Sequence, residues 1–289
     1  MDRLKLKAVL GSHPHVKAVK SGELRSDLFD LGFIEYTPTN TAFKPMVREQ
    51  AFGVCEMAIV TYLMAKAHGK PLVLLPATML GRFQHSYALY NPARGVLGPS
   101  DLEGKRVGIR SFTTTTGAWI RGILANDYGV NLDKIRWVTF EDPHVAEYVD
   151  TTERAPKDKK ILQMLIDCEL DAVLGETSDS PALKPLFSDP AAEAAKWHAH
   201  RGVVPVNHLV VVTEQLARSR PDVVAGIYDL LKRNKAQVGP AATPDLVPFG
   251  IEANRKPLEL IVDYAFQQAL IPRRYAVEEL FDETTRGLN

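Results

Sequence analysis

Short apolar runs rich in β-branched residues alternate with amphipathic helical stretches along almost the whole chain, and this alternation limits the fold more than any other feature. Strand-like segments stand at Leu4–Leu10, Phe33–Pro38, Val54–Ala58 and Leu72–Ala77, with helical stretches such as "PHVKAVKSGEL", "NTAFKPMVREQ" and "VTYLMAKAHG" between them. Such an order predicts an α/β fold, a mainly parallel sheet covered by helices. After an extended segment, His85–Tyr90, the Pro- and Gly-rich "NPARGVLGPSDLEGK" marks a boundary.

A second α/β run follows, with strands predicted at Arg106–Arg110, Ile135–Glu141 and Asp171–Glu176 and a helix at "KKILQMLIDCEL". "VVPVNHLVVV" (Val203–Val212) is a long apolar strand, and the remainder reads as helices. Two α/β units separated by two extended segments predict a two-lobed architecture with two crossing strands. Residues 1–87 and 208–289 would form one discontinuous lobe and 88–207 the other. Ligands of open α/β sheets bind beyond the carboxyl ends of the strands, which points both lobes at a shared cleft. With 289 residues, 45% of them hydrophobic, each lobe has enough apolar material for its own core.

Charge narrows the partners. Thirty-five basic and thirty-five acidic residues cancel, so there is no basic field for nucleic acid and no polybasic patch for a membrane surface. No apolar run reaches the roughly 18 residues of a membrane span. "MDRLKLKAVLGSHPHV" opens directly on a strand without an export signal, and the expected location is cytoplasmic. Cys55 and Cys168 fit neither a disulfide framework nor a CxxC metal site and read as buried thiols. The apolar stripes of the C-terminal helices suit either a homo-oligomer or packing within the chain.

The residues able to do chemistry collect at the predicted strand ends and crossings. "RSFTTTTGAWIRGIL" opens a helix directly after a strand. Four threonines are poor helix interior but supply oxygens at a first turn, where N–H groups lack partners. Ser111, Thr113, Thr114, Thr115 and Thr116 would either cap the helix or seat an anion, with Arg110 as a bidentate fork for a carboxylate. Glu56 lies in "VCEMA", Arg82 and His85 in "GRFQHSY", Glu141, Asp142 and His144 after "IRWVTF", Glu176 after "DAVLG", and Asn207 and His208 in the second crossing. His85 and His208 each sit in an extended segment, and imidazole is the side chain that titrates near neutrality. His13 and His15, flanking Pro14 at the end of the first strand, suit a cleft or a loop equally. No HxH, HExxH or HxxxH spacing supports a metal site, and no GxSxG supports a nucleophilic serine.

"DLEGKRVGIRSFTTTTGAWIRG", opening the second lobe, resembles the type II periplasmic-binding-protein fold. More narrowly, "YTPTNTAFKPMVREQAFGVCEMAIVTYLMAKAHGKPLVLLPA", "GRFQHS", "WVTFEDPHVAEY", "LDAVLGE" and "NHLVVV" together resemble the 4,5-dihydroxyphthalate decarboxylases, from about residue 3 to 288. The resemblance implies loss of CO2 from 4,5-dihydroxyphthalate to give 3,4-dihydroxybenzoate, without an organic cofactor. It carries no residue roles, which are assigned here by chemistry. Loss of CO2 directly from an arene would leave an unstabilised carbanion, so the ring carbon must be protonated first. That needs an acid over the ring, a base at the para hydroxyl and a cationic clamp for the carboxylates. The expected clamp is Arg82, Arg110, Ser111 and Thr113–Thr116, with Asn207 also in contact. The expected acid is His85, with His208 at the phenol edge, Glu56 or Glu141 orienting an imidazole and Glu176 behind them. The rival readings are an aromatic-acid solute-binding protein of a transporter and a decarboxylase of a related phthalate isomer.

Overall fold

The computed structural model describes residues 3–239 and 243–289. Among them the strands are, in chain order, β1 (Leu4–Val9), β2 (Phe29–Phe33), β3 (Val54–Ala58), β4 (Leu72–Gly81), β5 (Ala88–Tyr90), β6 (Arg106–Ile109), β7 (Arg136–Thr139), β8 (Glu153–Arg154), β9 (Ala172–Leu174), β10 (Lys184–Pro185) and β11 (Val206–Thr213). The helices are α1 (Lys17–Lys20), α2 (Phe43–Glu49), α3 (Ile59–Ala67), α4 (Thr115–Asp127), α5 (Ile161–Ile166), α6 (Pro190–Arg201), α7 (Glu214–Ser219), α8 (Pro221–Gln237) and α9 (Ile251–Gln267). The chain divides into two compact units. The first comprises Met1–Arg82, Val206–Val262 and Ile271–Asn289, and the second Phe83–Pro205 and Asp263–Leu270. The first segment therefore ends at Arg82 rather than at 87. His85 falls in the second unit, Asn207 in the first, and the end of α9 is grouped with the second.

In the first unit a five-stranded mixed sheet has the order β2-β1-β3-β11-β4. β1 lies parallel to β2 and β3, whereas β11 runs antiparallel to β3 and β4. One face packs under α8, with Ala8, Leu75, Val210, Val212, Val223, Ile227 and Leu231 in the core. The second strand lies earlier than Phe33–Pro38. It pairs Leu4↔Phe29 through Ala8↔Phe33, which buries Phe29 to 2% exposure. This tertiary gain overrides the weak strand preference of Asp30 and Gly32. The first helical stretch is a 3-10 turn (Pro14–Val16) followed by the single turn α1, and "AVEELFDETT" forms only the 3-10 turn Val277–Leu280.

The second unit holds a six-stranded sheet of order β10-β5-β9-β6-β7-β8. β6 lies parallel to β7 and β9, with β5 antiparallel at β9. α4 covers this sheet through Ile120 and Leu124, which join Val107, Ile109, Ala172 and Leu174 in one core. The approach of α4 to its neighbours is close enough to exclude side chains. A Cβ on Gly117 would lie 2.2 Å from Ile109, and one on Gly122 2.0 Å from the Tyr264 ring. His85–Tyr87 is a 3-10 turn rather than extended chain. Cys168 is half-buried rather than buried, with its Sγ 3.3 Å from Asn91 Nδ2.

Candidate active site

Every residue of β3 is buried, as a strand flanked on both sides and covered on its faces requires. Glu56 is the exception in chemistry though not in burial, at 1% exposure. A carboxylate in that position needs partners, since burying an unpaired charge costs several kcal/mol. Three donors converge on it. The Gly11 backbone N–H donates to Oε2 at 2.7 Å, His13 Nε2 lies 2.9 Å from the same oxygen, and His208 Nδ1 lies 2.6 Å from Oε1.

Sheet register brings these donors together. β1 runs parallel to β3 with Val9 opposite Cys55, so the chain leaving β1 passes beside Glu56. On the other side Val210 of β11 is opposite Glu56 and His208 opposite Ala58. Residues two apart share a face, so His208 reaches Glu56 diagonally. Gly11 is needed for the close approach of its N–H. A Cβ there would lie 2.6 Å from His13 Nε2 and 3.0 Å from Glu56 Oε2.

Burial pushes the Glu56 carboxyl upward, but the hydrogen bonds and charges of His13 and His208 outweigh it and hold the group below the usual carboxylate range. An ionised carboxylate only accepts, so the hydrogens lie on His13 Nε2 and His208 Nδ1. That leaves His13 Nδ1 and His208 Nε2 as the ring nitrogens outside the bonds to Glu56. Both rings are partly exposed and both are braced. The Phe43 ring meets His208 edge-on at 5.1 Å, and His15 stacks on His13 at 5.2 Å with 9° between the planes. His15 is buried, and burial followed by the His13 charge lowers its pKa to about 4. Burial pushes the neighbouring Cys55 thiol up, which makes it a poor nucleophile. Among the described residues no group of three or more His, Cys, Asp or Glu is arranged to hold a metal ion.

The second unit carries the threonine run. α4 begins only at Thr115, with Thr114 at the N-cap position. Its hydroxyl makes no capping bond and donates instead to the Ser111 carbonyl at 3.0 Å. Ser111 and Thr113 are buried and bond each other at 3.1 Å, and Thr115 is also buried. Arg110 Nε lies 3.6 Å from Glu141 Oε2, both partly exposed, so Glu141 faces a guanidinium and not an imidazole. Arg121 was not anticipated. It is fully buried in α4, bonding Gln268 Oε1 at 2.8 Å and the Phe112 carbonyl at 2.6 Å, and it lies 3.8 Å above the Phe112 ring. Burial lowers its pKa to about 9. An arginine inside the apolar "GAWIRGIL" was the available signal.

His85 is buried in the second unit, its ring 4.9 Å from Phe187 and 6.1 Å from Trp197. Neither ring nitrogen makes a hydrogen bond, and burial lowers its pKa. Asn207 is buried in β11 of the first unit, Arg82 is half-buried at that unit's edge, and Glu176 is half-buried after β9 of the second. The structure thus joins Glu56 and His208 and adds His13, whose signal in the sequence was its place just after the first strand.

No protein-family model matches the chain. It is 29% identical over 252 residues to a 4,5-dihydroxyphthalate decarboxylase of Comamonas testosteroni, covering 82% of this chain and 76% of that one. It is 27% identical over 214 residues to a protein of the same name from Pseudomonas putida, covering 68% of this chain and 83% of that one. Among solved structures it resembles the periplasmic aliphatic sulphonate-binding protein of Escherichia coli, at 12% identity and a TM-score of 0.59 over 99% of each chain. It also resembles a variant of the desulfurization enzyme DszB in complex with biphenyl-2-sulfinic acid, at 14% identity and a TM-score of 0.56 over 98% of each chain. The likeness to periplasmic binding proteins and the two mixed α/β sheets agree with the type II periplasmic-binding-protein-like fold expected from the sequence. By fold the chain is thus periplasmic-binding-protein-like, and by sequence its similarity is to the 4,5-dihydroxyphthalate decarboxylases.

Proposed function

We propose that this chain is a non-oxidative decarboxylase of an aromatic dicarboxylate, converting 4,5-dihydroxyphthalate to 3,4-dihydroxybenzoate and CO2 without an organic cofactor. The observation that carries the reading is the buried Glu56 carboxylate, which holds two partly exposed histidines by opposite ring nitrogens. The similarity to two decarboxylases named for that substrate supports it.

One histidine accepts the proton of the hydroxyl para to the departing carboxylate, and the phenolate pushes electron density to the ring carbon. The other, protonated, gives that carbon its proton. The bond to the carboxylate then breaks, CO2 leaves, and the released electron pair restores the aromatic ring. The phenolate takes its proton back from the first histidine. One proton is consumed, the one delivered to carbon, and the spent donor reloads from water, which its partial exposure allows. Each acid or base step is worth about 10²–10⁴-fold. The role of donor to carbon passes from His85 to the histidines that Glu56 holds, because no hydrogen-bond partner orients the His85 ring.

On the second unit, Arg110, Ser111 and Thr113–Thr116 keep the carboxylate-holding role read from the sequence. R110A is expected to raise KM for the diacid about tenfold, and an unchanged KM removes Arg110 from that role. The reading includes a cytoplasmic location, which cell fractionation tests. Among the described residues no helix is long and apolar enough to cross a membrane.

Chelator-treated protein incubated with 4,5-dihydroxyphthalate should release CO2 and 3,4-dihydroxybenzoate in equal amounts. Tight binding of the diacid without CO2 would favour a solute-binding role, the reading that the likeness to sulphonate-binding proteins supports.

A further inference from the structure

The residue beneath His13 has no part in the proton transfers described above, yet its placement is specific. His15 follows His13 by two residues across Pro14, and the 3-10 turn at Pro14–Val16 folds the two rings into a near-parallel stack, 5.2 Å apart and 9° from coplanar. His15 is 7% exposed, and its Nε2 is buried with no hydrogen-bond partner. His15 is thus a buried ring pressed flat against His13. The charged groups acting on it are His13, Glu56 on β3 and Lys235 on α8. Burial first, then His13 and Lys235, lower the His15 pKa and outweigh the pull of Glu56.

We propose that His15 is a positioning residue, a buried plate whose stack holds the His13 ring with Nε2 toward Glu56 and leaves Nδ1 outside that bond. Ring against ring restricts His13 to one rotation, and the 2.9 Å bond to Glu56 then fixes which nitrogen is left for chemistry. The inference rests on the decarboxylase reading for its effect on rate but not for its effect on the ring.

Two variants and two measurements test it. H15F keeps a flat ring in the stack, whereas H15A removes the plate. With 4,5-dihydroxyphthalate, H15A is expected to lower kcat about tenfold with KM within twofold, and H15F to stay within threefold of the parent. Without substrate, histidine-ring ¹H–¹⁵N spectra should show His13 protonated at Nε2 and His208 at Nδ1. H15A should move the His13 signals toward those of a freely tumbling, averaged imidazole and leave His208 in place, while H15F preserves both. H15A with an unchanged His13 spectrum or unchanged kcat overturns the proposal. If H15A does not fold, loss of the His13 tautomer in H15F overturns it instead. A parent protein with the expected spectra but no CO2 release leaves the plate standing and removes only the activity.

Discussion

His208 Nδ1 and Glu56 Oε1 stand 2.6 Å apart although 152 residues separate them in the chain, and the other oxygen of the same carboxylate receives His13 and the Gly11 N–H. One buried anion thus fixes two imidazoles by opposite ring nitrogens.

Replacing that anion by its amide removes one acceptor oxygen and adds N–H donors facing N–H groups. In Glu56→Gln one histidine must turn to its other tautomer or lose its bond. The expected result is a loss in kcat of about 10²–10³-fold with KM within a fewfold. Chemical denaturation should show a stability loss of about 2 kcal/mol, because hydrogen bonds to charged groups are among the stronger ones. Steady-state kinetics with 4,5-dihydroxyphthalate that match the parent would remove Glu56 from the mechanism.

Gly11→Ala probes the same geometry from the backbone. The added methyl would lie 2.6 Å from His13 Nε2 and 3.0 Å from Glu56 Oε2, so the ring or the carboxylate must move. The φ of Gly11 is not in the left-handed region, so the effect comes from the clash and not from backbone strain. Activity should fall about tenfold and stability by roughly 1–3 kcal/mol, the usual cost of overpacking. A crystal structure of the variant with the His13–Glu56 bond intact would contradict this.

His15 makes stability depend on pH in a defined window. Its folded pKa of about 4 lies below the ordinary 6.5, so the unfolded chain binds this proton first as pH falls. Its stabilising share is therefore complete above pH 6.5, declines between 6.5 and 4, and levels off below. H15F lacks this share. Glu56, also depressed, loses its contribution only below the ordinary carboxylate range and does so in both proteins. The unfolding free energy of H15F relative to the parent should rise by ~3 kcal/mol from pH 7.5 to pH 4. Parallel stability curves for the two proteins would show that His15 is not held neutral.

His85→Phe separates the two assignments of the carbon-protonating acid. The site is aromatic, with Phe187 at 4.9 Å and Trp197 at 6.1 Å, and two unpaired ring nitrogens are removed. Stability should hold or rise by up to about 1 kcal/mol, since no hydrogen bond is lost. Turnover should remain within a fewfold. Abolished turnover with intact folding would return the donor role to His85.

The two α/β units, the apolar strands and the helix following the threonines are legible in the chain because hydrophobic period and local propensity act over a few residues. "VCEMA" read as a strand, and in the structure its one carboxylate has nowhere to go but a partner. The threonine run was legible as a helix start, but the direction of its hydroxyls was not. Thr114 turns to the Ser111 carbonyl because the turn before α4 presents that acceptor. Which imidazole meets Glu56 depends on strand order and register. β1 and β11 flank β3, and a slip of one residue would turn His208 to the opposite face of the sheet. Local sequence therefore set the elements and placed an acid in the first core. The pairing of strands far apart in the chain decided that His13 and His208 share it, because a hydrogen bond is a relation in space that no local period encodes.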